Sequence, residues 1–222
     1  MGELLEFISA GRPGPAYLAR PAQPGPAVLV IQEWWGLNDQ IKAVADRFAG
    51  EGFYALAPDL YHGEVAQAPD QARRLAMQLA LNQAADDLSG AVDLLIAESS
   101  QPRISVVGFC MGGGLTLSLA VHRSEVAAAV PFYGIPRDAA ELDWSKLQAK
   151  VLGHYGEQDS GIPVSAVLEL QEKLRTLGKD AELRVYPDAG HAFFNEQGRN
   201  YQEKASREAW EATLRFLRQV LV

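Results

Sequence analysis

An α/β fold built on a mainly parallel sheet is predicted by three features of this 222-residue sequence. Short β-branched runs alternate with longer helical runs through most of the chain. Some of the short runs, such as "AVLVIQ" (27–32), are apolar on both faces, as a strand covered on both sides must be. Several polar residues with chemical potential follow directly after such runs, where sheets of this kind hold their ligands.

The elements follow in order. "LLEFISA" and "AYLAR", separated by "GRPGP", read as an antiparallel opening. After "AVLVIQ", the segment "NDQIKAVADRFAGEG" is helical, with Asn38 as a cap and Gly50 or Gly52 as its end. "FYALAPDL" is a strand stopped by Pro58. Residues 67–98, rich in Ala, Leu and Gln, form two helices separated near Asn82. "ISVVGF" is a strand and "GGGLTLSLAVHR" a helix, while "VAAAVPFYG" and "VLGHYGEQD" are further strands. "PVSAVLELQEKLRTLG" is an amphipathic helix with Pro163 near its start and Gly178 closing it. "AELRVYPDAG" is a strand, and the segment from Tyr201 onward is a closing helix. No repeat, low-complexity segment or linker divides the chain, so residues 1–222 read as one domain.

Composition narrows the function. With 48% hydrophobic and 22% charged residues the chain can bury a sizeable core. A net charge of −8 without a basic stripe argues against a nucleic-acid surface, because nothing neutralises phosphate. The longest apolar runs fall short of a membrane span, and the N-terminus lacks a basic segment followed by an apolar one. A cytoplasmic monomer is the expectation. A single cysteine excludes an internal disulfide, and four histidines without Cys/His spacing argue against a metal site or other cofactor.

That one cysteine carries the chemistry. Cys110 stands in "GFCMG", Gly-x-Cys-x-Gly between a strand and a helix, the nucleophile-elbow pattern with sulfur in place of hydroxyl. Gly108 and Gly112 clear space around a strained turn, and the helix start favours a thiolate. His191, in "PDAGHAFFN", is the candidate base, since imidazole titrates near ~6.5. Of the other histidines, His122 lies at the far end of a helix, while His62, in a loop, and His154, in a strand run, each face either the site or the core. Asp159, in "GEQDSGIP", is placed to accept the other ring N–H of His191, or else to cap the next helix. Nucleophile, acid, histidine is the chain order of α/β-hydrolases.

"IQEWWGLND", "APDLYHG", "GFCMGGG", "PFYG", "GEQD" and "AGHAFFN" together resemble the dienelactone hydrolase family over nearly the whole chain. The resemblance implies an α/β-hydrolase fold with about eight strands and helices on both faces. It implies Cys110 as nucleophile, His191 as base, Asp159 as orienter, and Glu33 as the carboxylate that binds the resting thiol and helps activate it. The backbone N–H groups of Met111 and Trp34 are then the expected oxyanion hole. Trp35, Tyr133 and Phe193 are expected to line the substrate pocket, and Arg73, or Arg74 beside it, is the candidate cation there. The family's two substrate-holding arginines are not matched, because those positions carry Asn195 and Pro69. The expected activity is hydrolysis of a neutral or apolar ester, lactone or thioester through an acyl-enzyme, without cofactor, metal, nucleic acid or membrane. A silent small-molecule binding protein on the same scaffold is the alternative.

Overall fold

The computed structural model describes residues 2–221. Its eight strands are ordered β1-β2-β4-β3-β5-β6-β7-β8 in the sheet. Contacts divide the chain into two compact units, residues 1–106 and 107–222, and each is taken by itself below.

The first unit opens with β1 (Glu3–Ser9) and β2 (Arg12–Ala19), paired antiparallel from Glu3↔Leu18 to Ser9↔Arg12. The connection is only Ala10–Gly11, both at positive φ (46° and 77°), the two-residue turn whose twist matches the strands. "RPGP" was expected to break the strands, but it belongs to β2. The reason is edge geometry. β4 (Tyr54–Pro58) pairs with β2 only across Ala16–Ala19, so Pro13 and Pro15 lie beyond that ladder. β3 (Ala27–Ile31) runs parallel to β4, and its residues Val28 to Ile31 are fully buried. Between these strands comes α1 (Asp39–Gly50), capped as expected by Asn38, whose Oδ1 accepts the Ile41 N–H at 3.1 Å. Gly52 follows it at φ 93°. α2 (Pro69–Gln78) and α3 (Leu81–Ser99) follow. They break at Leu79–Ala80, near Asn82 as expected, with Asn82 itself inside the first turn of α3.

β5 (Ile104–Phe109), buried throughout, begins in the first unit and ends in the second. The second unit continues with α4 (Met111–His122), β6 (Val126–Phe132), a short 3₁₀ turn at Trp144–Lys146, and β7 (Lys150–Gly156). It closes with α5 (Val164–Thr176), β8 (Ala181–Tyr186) and α6 (Glu203–Leu221). β6 pairs parallel to β7, and β7 parallel to β8 in register from Val151↔Ala181 to Gly156↔Tyr186. These three strands therefore end on the same side, and their following loops emerge together. Gly178, at φ 66° just past α5, ends that helix as expected. No helix among the described residues is long and apolar enough to cross a membrane.

Candidate active site

The strand β5 delivers its chain to α4 through one residue, Cys110, at φ 54° and ψ −116°. A side chain held there is strained, and the surroundings must fix it. The Cys110 N–H donates to the Phe132 carbonyl at 3.0 Å, and the Cys110 carbonyl accepts from Gly113 N–H at 3.0 Å. Two glycines make these approaches possible. A Cβ at Gly108 would lie 2.2 Å from the Gly112 carbonyl oxygen, and one at Gly134 would lie 2.2 Å from the Cys110 carbonyl oxygen. The sulfur is half-buried at the N-terminus of α4, with Met111 the first helical residue. Peptide dipoles there favour negative charge.

The loops after β7 and β8 are joined. Glu157 N–H donates to the Tyr186 carbonyl at 3.0 Å and Gln158 N–H to the Ala189 carbonyl at 2.8 Å. Gly156 allows this, since a Cβ there would sit 2.3 Å from the Ala189 oxygen. The result sets Asp159 beside His191, with Oδ2 2.7 Å from Nδ1. The other oxygen, Oδ1, accepts backbone N–H groups from Gly161 (2.8 Å) and Ile162 (3.0 Å). Asp159 therefore does not cap α5, whose N-cap is Pro163 without a side-chain cap bond; one oxygen of this buried carboxylate braces the turn before that helix and the other faces the histidine. On the far side of the ring, Nε2 lies 3.2 Å from Cys110 Sγ.

The three groups shape one another's charge. Burial opposes a charged His191, but the hydrogen bonds to Asp159 and Cys110, and the charges of both, outweigh it and raise its pKa to about 10. Burial likewise opposes an ionised Asp159. The hydrogen bond and charge of His191, with the Gly161 and Ile162 N–H groups, overcome it and hold the carboxyl below its usual range. An imidazole held in its charged form beside a sulfur suits a thiolate–imidazolium pair.

The base sits on a loop braced from behind. Ala192 is at φ 60°, Asn200 Nδ2 donates to the His191 carbonyl at 2.9 Å, and Ser206 Oγ donates to the Phe193 carbonyl at 2.8 Å. Asn200 and Ser206 carry no motif that marks them in the sequence. Their signal was faint: an Asn nine residues after the histidine, and a Ser in the first turn of a helix. Tyr133 and Phe193, expected to line a pocket, are 0% exposed. Tyr133 packs against the imidazole and Phe193 against Tyr133, and neither offers surface to a solvent-borne ligand.

The other expected residues lie in the first unit. Glu33 is buried just beyond β3, and Trp34 and Trp35 are half-buried with their rings edge to face at 5.3 Å. Arg73 is exposed on α2, and Pro69 is the first residue of that helix. In the second unit Asn195 is buried, with Oδ1 accepting the Gln197 N–H at 3.0 Å. His154 faces the core, His122 bonds the Ser118 carbonyl, and His62 pairs with Asp87 at 2.9 Å. Among the described residues, no group of three or more His, Cys, Asp or Glu is arranged to hold a metal ion.

Comparison with known proteins agrees with the sequence resemblance. The model of the dienelactone hydrolase family matches residues 15–221. Protein usf of Aquifex pyrophilus is 34% identical over 231 residues, covering 100% of both chains. A proposed carboxymethylenebutenolidase of Aquifex aeolicus is 32% identical over 232 residues, again covering 100% of both. The crystal structure of a proposed dienelactone hydrolase from Klebsiella pneumoniae superposes with a TM-score of 0.91 at 31% identity, covering 99% of this chain and 98% of that one.

Proposed function

Because the chain belongs to the dienelactone hydrolase family, we propose that it hydrolyses esters or lactones by a Cys110–His191–Asp159 triad through an acyl-enzyme. The observation that carries this reading is the unbroken run of contacts, 3.2 Å from Cys110 Sγ to His191 Nε2 and 2.7 Å from His191 Nδ1 to Asp159 Oδ2.

The Cys110 thiolate attacks the carbonyl carbon, forming a C–S bond as the carbonyl electrons move to oxygen. The N–H of Met111, at the start of α4, supplies one hydrogen bond to that oxyanion. Collapse breaks the C–O bond, and the imidazolium gives its proton to the departing oxygen. The neutral imidazole then takes a proton from water, whose oxygen attacks the thioester. The acid leaves and the thiolate returns. Asp159 keeps the Nδ1 proton in place throughout. Roles for Glu33 at the resting thiol and Trp34 as a second oxyanion donor rest on the family resemblance, and those of Trp35 and Arg73 at the substrate on their sequence positions alone.

The substrate is a neutral or apolar acyl compound. Asn195 stands where the resemblance expects an arginine, and it is turned inward to bond its own turn. An inward amide does not replace a bidentate guanidinium for an anionic substrate. Turnover of p-nitrophenyl esters of increasing chain length, beside the dienelactone, tests the reading. The expected result is ester turnover that exceeds dienelactone turnover and is lost in Cys110→Ala. Tight ester binding without turnover would make the protein a binder instead.

A further inference from the structure

Three consecutive residues at the exit of β6 touch the triad from different sides. The Phe132 carbonyl accepts the Cys110 N–H at 3.0 Å. Gly134 packs against the Cys110 carbonyl so closely that a Cβ would lie 2.2 Å from its oxygen, and the Gly134 carbonyl is held by the Tyr155 hydroxyl at 3.1 Å. Between them, the Tyr133 ring meets the His191 imidazole edge to face, with centroids 5.3 Å apart and planes at 61°.

Tyr133 occupies this place at a cost. It is a non-glycine residue at φ 38°, a conformation bulky side chains rarely take, and its N–H is committed to the His154 carbonyl at 2.7 Å. Strain of this kind persists where the surroundings over-determine it, and it clusters at functional sites. The ring is 0% exposed and braced by Phe193 (5.5 Å, 71°), Phe109 and Phe132. It is therefore a fixed object, and the imidazole, at 36% side-chain exposure, is the less enclosed of the two rings.

We infer that Tyr133 is a positioning residue: its ring sets the plane of the His191 imidazole so that Nε2 meets the sulfur held by the same β6 exit. The β6 exit thus acts as one jig for nucleophile and base. The inference rests on the triad reading proposed above. It assigns the ring, not the hydroxyl, so phenylalanine keeps the function.

The test is the pH-dependence of Cys110 alkylation by iodoacetamide, measured beside kcat and KM for p-nitrophenyl acetate. Wild type and Tyr133→Phe are expected to agree within about twofold. Tyr133→Leu is expected to lose roughly tenfold or more in both alkylation rate at neutral pH and kcat, with KM moved less than about threefold, because a misplaced base costs the reaction and not binding. If the leucine variant does not fold, Tyr133→Asn repeats the test with a residue that accepts positive φ. Wild-type rates in a folded ring-less variant overturn the inference alone, as does a phenylalanine variant as impaired as the leucine one. Undiminished ester turnover in Cys110→Ala overturns the triad reading and the inference with it.

Discussion

His154 and His191 lie in the same unit, and their surroundings drive them to opposite states. His154, on β7, is 0% exposed, with Nδ1 2.8 Å from the Tyr186 hydroxyl and Nε2 3.0 Å from Thr213 Oγ1. Both partners are neutral. Desolvation, then the charge of Arg184, lowers its pKa to about 3, so it stays uncharged. His191 also loses solvent, yet its pKa rises to about 10 because its two partners are a carboxylate and a sulfur. Burial alone makes imidazole a core spacer. Burial beside a carboxylate and a sulfur makes it a held cation.

The largest expected effect comes from removing the anion that makes the difference. Asp159→Asn is predicted to lower kcat/KM on the order of 10³–10⁴-fold, as loss of a triad orienter does. It removes a cause that raises the His191 pKa, so the alkaline limb of the pH profile moves down from about 10. A variant with unchanged rate and limb would show that the carboxylate is not what holds the cation. Cys110→Ala takes away the other partner. NMR titration of the His191 imidazole is predicted to fall below the wild-type value there, and an unmoved titration would break the comparison at the sulfur.

Stability should respond to pH in two separate windows. The folded pKa of His191 lies above the unfolded value of about 6.5. Its contribution is therefore full below that value and lost as pH rises toward about 10. His154 is depressed, so its contribution is full above about 6.5 and lost as pH falls toward about 3. Denaturant titrations across pH are predicted to lose the acid-side loss in His154→Gln and the alkaline-side loss in Asp159→Asn. Exchange of those assignments would contradict the account.

The smallest effect on activity belongs to Thr213→Val. It leaves a buried His154 nitrogen without its partner, at a cost of about 1–3 kcal/mol in stability. Ester turnover should change by less than about twofold. A large loss of turnover would mean that the core histidine takes part in the chemistry.

The comparison also marks what the sequence makes legible. The elbow at Cys110 is readable because its glycines, β-branched strand and helix are local features, and local features write themselves into spacing. Asp159 and His191 are readable because each follows a strand, and parallel strands deliver their ends to one side. The sequence does not decide whether His154 faces core or site, since strand periodicity alone does not separate two faces that are both buried. The strand character of "RPGP" was hidden because proline reads as a breaker unless one knows where the neighbouring ladder stops. Positive φ at Tyr133 and the Asn200 bond to the His191 carbonyl depend on tertiary contacts and have no signature in spacing. The family resemblance supplied roles for Glu33 and Trp34 that their own residue types do not.

The central claim is that sulfur carries the acyl group. Mass spectrometry of the intact and digested protein, quenched with acid during turnover of a slow p-nitrophenyl ester, tests it most directly. The account predicts one acyl group on the peptide that contains Cys110, accumulating further in His191→Gln if acylation survives. Steady turnover in Cys110→Ala, or an acyl group on any other side chain, would contradict it.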